Sequence, residues 1–195
     1  MAVTEKHPLQ PFLPKNSKIL MLGSFPPPKA RWSMEFFYPN WINDMWRLMG
    51  HIFYNDRHHF ELKGEKRFCK ERIEAFCNEK GIALYDTACE VVRLKDNASD
   101  KFLEVVTPTD IPALLEQIPQ CMAIVTTGQK ATDVITSTFN CTEPAIGSAT
   151  DIEINGRRLH FWRMPSTSRA YPLAMEKKAE AYSVLFNPDY CRVFQ

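Results

Sequence analysis

The chain is 195 residues long, 45% hydrophobic and 24% charged, with a formal net charge of +1, values that describe one ordinary globular domain with a sizeable core. No apolar run is long enough to span a membrane, and the polar, Pro-rich start lacks the apolar centre of a secretory leader, so a cytoplasmic location is expected. The six cysteines have no C-x-x-C spacing and the five histidines, which include His58-His59, complete no zinc set; free thiols in a reducing compartment and no structural metal are expected.

In chain order, residues 1–16 are proline-rich and are expected to lie extended across the surface. Lys18-Ile-Leu-Met-Leu22 reads as a short buried strand ending at Gly23, after which Pro26-Pro-Pro28 forbids an immediate helix. A helix is expected from near Asn40 to His51, with Trp41, Met45, Leu48 and Met49 at helical spacing. Lys66 to Lys80 reads as a second helix, with Phe68, Ile73, Phe76 and Cys77 as its apolar face and Gly81 as its stop. Ile82-Ala-Leu-Tyr85 is the second strand, Asp110 to Gln117 a helix, and Cys121 to Thr126 the third buried strand. Gly128 turns the chain into a helix from about Gln129 to Thr138. Asp151-Ile-Glu-Ile154 and Arg158-Leu-His-Phe161 flank Asn155-Gly156, a hairpin signal, and the last helix runs from about Pro172 to Leu185.

Short apolar strands alternating with helices imply an α/β layered fold with a mostly parallel sheet, formed by a single domain over 1–195. In such sheets ligands bind beyond the carboxyl ends of the strands. The polar turns after Leu22, Tyr85, Thr126 and Arg163 are therefore expected to gather at one edge.

Two of these turns carry chemistry. Met164-Pro-Ser-Thr-Ser-Arg-Ala170 follows the apolar run Leu159-His-Phe-Trp162 and sets hydroxyls, backbone N–H groups and a guanidinium just before a helix, an arrangement suited to phosphate. Leu22-Gly-Ser-Phe-Pro-Pro-Pro28 is its counterpart near the other end. Both lie in acid-free stretches: Lys6 to Met34 holds Lys6, Lys15, Lys18, Lys29 and Arg31, and Gly156 to Met175 holds Arg157, Arg158, Arg163 and Arg169. Converged, the loops would form a basic face for a polyanion. The plainer alternatives are a chance fluctuation in charge and, for the second turn, an N-cap to the Pro172 helix.

Gly23-Ser-Phe-Pro26, Asn43-Asp-Met-Trp46, Gly128-Gln-Lys-Ala131 and Met164-Pro-Ser-Thr-Ser168, in that order, resemble motifs of the uracil-DNA glycosylase superfamily. The wording is closest to its hypoxanthine-DNA glycosylase and mismatch-specific branches. The resemblance spans roughly Lys18 to Leu185. It implies a three-layer α/β/α sandwich that flips a deaminated base, hypoxanthine or uracil, out of DNA and hydrolyses its N-glycosidic bond without cofactor or metal. It also implies a monofunctional base excision repair enzyme, expected to act as a monomer and away from membranes.

Residue by residue, the resemblance makes Asn43 and Asp86 the catalytic candidates, for holding water and for accepting a ring N–H of the base. Gly23, Ser24, Phe25 and Tyr38 become the base pocket, and Pro26, Ser166, Ser168 and Arg169 the contacts to DNA phosphates. Tyr171 is a candidate wedge. Two departures stand out: Phe25 replaces a polar residue that elsewhere positions water, and Met164 replaces a His that donates to the leaving base. Structural alternatives stay open. Gly23 can be a simple turn, Asn43 a helix cap, Asp86 a cap on the Thr87–Cys89 turn, and Phe36 or Phe37 can rival Tyr38. At the level of function, the alternatives are a non-catalytic nucleic-acid-binding module of the same fold and a hydrolase using Ser166 or Ser24. The latter lacks a G-x-S-x-G elbow and an assignable His.

Overall fold

The computed structural model describes residues 3–94 and 100–187. Ser99, which with Asp100 resembles a Ser-Asp pair of the hypoxanthine branch, and Cys191 lie outside them. Runs of Leu, Ile, Val, Met and Ala with no polar alternation suit strands covered on both faces. β2 (Ile19–Gly23), β3 (Ile82–Asp86) and β6 (Ala123–Thr126) are such runs, and every residue in them is buried. With β7 (Ser148–Ile154) and β8 (Arg157–Arg163) they form one five-stranded sheet in the order β3-β2-β6-β8-β7. All pairings are parallel except β7 with β8. That pair is the hairpin expected at Asn155-Gly156, whose φ angles of 50° and 75° are those of a turn that matches strand twist.

Helices flank the sheet. α1 (Met45–Tyr54) packs against α5 (Met175–Ser183), α2 (Lys70–Lys80) against β3, and α4 (Gln129–Phe139) against β6, with α3 (Ile111–Gln117) preceding β6. α2 stops at Gly81, which takes φ 67°, as the sequence predicts. Among the described residues no helix is long and apolar enough to cross a membrane.

Three features differ from the sequence reading. α1 begins at Met45 rather than near Asn40, because Asn40–Asn43 is a turn closed by Asn43 N–H on Asn40 O (2.8 Å) and bridged to Trp32 and Ser168. α2 begins at Lys70 rather than Lys66, because the preceding residues pair Glu61 with Phe68. A second sheet also exists, in which β4 (Ala88–Arg93) runs between β1 (Thr4–Lys6) and β5 (Leu103–Pro108). The N-terminal segment is thus tied down: Thr4–Lys6 pair with β4, and Phe12 exchanges hydrogen bonds with Leu84 at the outer edge of β3.

Candidate functional site

The parallel register aligns the carboxyl ends of β2, β3, β6 and β8, placing Gly23 beside Asp86, Leu22 beside Thr126, and Thr126 beside Arg163. The polar turns therefore meet at one edge. Close approach explains the glycine at position 23. A Cβ there would overlap Oδ1 of Asp86 and lie 3.7 Å from Cε1 of Tyr38, so any side chain at position 23 would have to displace the Asp86 carboxylate. Beyond it the N–H groups of Ser24 and Phe25 make no hydrogen bond among the described residues.

Tyr38 is the aromatic residue the fold brings to Gly23, whereas Phe36 and Phe37 are core residues at 5% and 3% exposure. Its backbone takes φ 50°, a left-handed conformation that costs on the order of 1 kcal/mol or more for a bulky residue. Contacts on both sides hold it there. Its hydroxyl shares a 2.9 Å hydrogen bond with Thr127 Oγ1, and its ring meets Trp46 edge-on at 6.1 Å. Burial first, and the Asp86 charge second, push the phenol far above its ordinary pKa, so it remains an O–H group.

Asp86 does not cap the Thr87–Cys89 turn. Thr87 N–H instead bonds Gly23 O at 2.9 Å, and the Asp86 carboxylate takes a 2.8 Å hydrogen bond from Nε2 of His7. The His7 side chain is 2% exposed and that of Asp86 10%. Phe25 turns its ring toward Ala88, Val91, Leu103 and Val105 and toward His7, 5.2 Å between centroids, so it anchors the second sheet to the first turn. Pro26 is buried and its carbonyl accepts from Arg93 at 3.1 Å. Ser24 Oγ donates to Asp100 Oδ1 at 2.8 Å.

The second turn is assembled on α1 and α5. Asp44 N–H bonds Thr167 O at 2.9 Å, Asn43 bridges Ser168, and Tyr182 hydroxyl donates to Pro165 O at 2.8 Å. Asp44 receives Arg169 Nε on one carboxylate oxygen (2.9 Å) and Lys178 Nζ on the other (3.2 Å), and Lys178 also reaches Ser168 O at 2.8 Å. Lys178 is 1% exposed, so two cations face one carboxylate beneath Ser166–Ser168. Ser166 Oγ accepts from Ser168 N–H and Ser168 Oγ from Ala170 N–H, each at 3.2 Å. Among the described residues neither hydroxyl hydrogen has an acceptor. Gly128 brings the start of α4 close to Ser166. Asn43, which precedes the N-cap Asp44, accepts through Oδ1 from Met45 N–H, the first amide of α1, at 2.9 Å, while its amide nitrogen makes no hydrogen bond among the described residues. Met164 is 1% exposed and belongs to the core.

The acid-free stretch 156–175 is not a free basic surface. Arg157 donates to the carbonyls of Leu115, Pro119 and Cys121, closing the end of α3. Arg158 pairs with Asp151, Arg163 with Glu143 and Gln129, and Arg169 with Asp44. Arg169 stands at the second turn, 43% exposed beside its partner. Tyr171 is half-buried. His7, Asp44, Thr127 and Lys178 also join this candidate site, and the sequence had singled out none of them. A Lys inside the last helix and a His in a proline-rich segment carry no local signal of their partners.

No protein-family model and no curated protein matches the chain. Solved structures do. A solution NMR structure from Methanosarcina acetivorans, provisionally described as a uracil DNA glycosylase, is 20% identical over 93% of this chain and 97% of that one, with a TM-score of 0.61. The two chains share a fold. It is an α/β fold with a central, mostly parallel sheet flanked by helices.

Proposed function

We propose that this protein is a monofunctional DNA glycosylase that hydrolyses the N-glycosidic bond of a deaminated base, hypoxanthine or uracil. The observation that supports the reading is the gathering, at one sheet edge, of Gly23, Asp86 and Tyr38, with Tyr38 bonded to Thr127 and the adjoining Gly128 close to Ser166. A base flipped out of the duplex would stack on Tyr38, worth roughly 1–3 kcal/mol. Asp86 accepts the ring N–H, and the N–H groups of Ser24 and Phe25 receive the carbonyl oxygen on which charge develops as the bond breaks. The amide of Asn43 holds the water that meets the sugar carbon. Ser166 and Ser168 take the phosphates flanking the flipped nucleotide, and the surplus positive charge of Lys178 and Arg169 over Asp44 supports that anion.

Two observations favour a second reading, a DNA-binding module without chemistry: Asn43 Oδ1 is taken by the first amide of α1, and Met164 turns into the core. Duplexes carrying uracil, hypoxanthine, xanthine or 5-hydroxymethyluracil, incubated with protein and then alkali, separate the two. Strand scission at the lesion is expected for a glycosylase. Intact strands with a salt-sensitive affinity for DNA would establish the binding module instead.

A further inference from the structure

His7 stands behind the base-reading carboxylate, delivered by a segment remote from every motif of the site. His7 N–H bonds Cys89 O at 2.8 Å, continuing the pairing of β1 with β4, and Phe12 ties the other side of the segment to Leu84. Between these ties the imidazole is enclosed by Tyr85, Phe25 and Phe37, at centroid distances of 4.5, 5.2 and 6.3 Å. One side borders a cleft of about 360 Å³ shared with Lys6, Cys89, Glu90 and Thr107. Nδ1 lies 3.1 Å from Leu9 N and 2.9 Å from Leu9 O. If Nδ1 accepts from Leu9 N–H, the ring proton sits on Nε2. Facing a carboxylate, which only accepts, Nε2 is the donor in the 2.8 Å contact with Asp86 Oδ2. Oδ2 is thereby occupied, and Oδ1 is left against Gly23.

We infer that His7 is the positioning residue that sets base specificity by holding Asp86 in this orientation, an inference that rests on the glycosylase reading of the site. A fixed carboxylate offers the base an acceptor and no donor. It suits oxo-purines and oxo-pyrimidines, whose ring nitrogen beside the carbonyl bears hydrogen. It leaves a lone pair facing a lone pair when the ring nitrogen is bare, as in adenine and cytosine, and such unmet polar groups discriminate far more strongly than a missing methylene does. Without the Nε2 bond the short Asp86 side chain can turn away from Gly23, and the distinction between a ring that carries N–H and one that does not should fade.

The test compares duplexes containing hypoxanthine with duplexes containing 1-methylhypoxanthine, which lacks the N–H. Wild type, His7→Leu and His7→Gln are measured by single-turnover excision, with circular dichroism and a thermal melt verifying each fold. The hypoxanthine to 1-methylhypoxanthine rate ratio is expected to fall at least about tenfold in His7→Leu, where a hydrogen bond to a charged group is lost. Gln keeps an N–H near the position of Nε2 and should restore most of the ratio, which a merely structural role would not require. A folded His7→Leu protein with the wild-type ratio overturns the inference. If wild type cleaves neither duplex, the glycosylase reading fails, and the same comparison is made by calorimetric binding of the two free bases. A preference lost in His7→Leu then still supports His7 as the specificity residue, while an unchanged preference or no binding to either base overturns it.

Discussion

Replacing Lys178 by Met tests whether the phosphate turn is held from beneath. The ammonium group, 1% exposed, makes a 2.8 Å bond to Ser168 O and a 3.2 Å bond to Asp44 Oδ2. Met conserves most of the volume but leaves Ser168 O without that donor and Asp44 with Arg169 alone. Removing one member of a buried ion pair costs about 3–5 kcal/mol. Because Arg169 stays 2.9 Å from Asp44, the lower end, about 3 kcal/mol, is expected. For a domain of this size each kcal/mol moves Tm by about 2–4 °C, so the melt should fall by about 6–12 °C. Differential scanning calorimetry of Lys178→Met, Asp44→Asn and the double variant reads the effect and its coupling. The double variant should lose less than the sum of the singles by at least about 1 kcal/mol, since the groups share one network. DNA affinity at low salt should fall with it as Ser166–Ser168 loosens. A Tm within about 2 °C of wild type, or strictly additive losses, would refute the reasoning.

Three further outcomes are expected. Gly23→Ala should abolish excision, because the new Cβ displaces Asp86 Oδ1 from a carboxylate that His7 pins, while urea melts show a loss of only about 1–3 kcal/mol. Asn43→Ala should cost about 1 kcal/mol of stability through the lost bond to Met45 N–H; retained DNA binding with at least about a hundredfold slower single-turnover cleavage would mark the water-holding role, and unchanged cleavage would leave only that bond. Burial pushes the Cys121 thiol from 9.0 up to about 11, so in that window the unfolded chain releases a proton that the folded chain keeps. Stability should fall as pH rises, by about 1.4 kcal/mol per unit from this group, and urea melts of Cys121→Ala should show a shallower decline.

What could be read from the sequence is what depends on neighbours along the chain. The apolar runs of β2, β3 and β6, the Asn155-Gly156 turn and the Gly81 stop follow from local periodicity and backbone freedom, and they dictate the parallel sheet and the edge at which polar turns gather. The Gly23 and Ser166–Ser168 turns were legible for the same reason, as strand-end residues, whereas Tyr38 and Asp86 were singled out only through the resemblance. Partner choice was not legible. Whether an arginine faces DNA or a carbonyl depends on residues tens of positions away, as with Arg157 on Leu115 and Arg163 on Glu143. The start of α1 moved to Met45 because Asn43 pairs with Ser168, and the second sheet stayed hidden because β1, β4 and β5 mix charged and apolar residues and meet only over long range. The burial of Lys178 against Asp44 and of His7 against Asp86 is likewise settled by packing alone. Hydrophobic pattern specifies which segments fold into which layer; only the closed tertiary structure decides which charges are spent inside and which remain for a ligand.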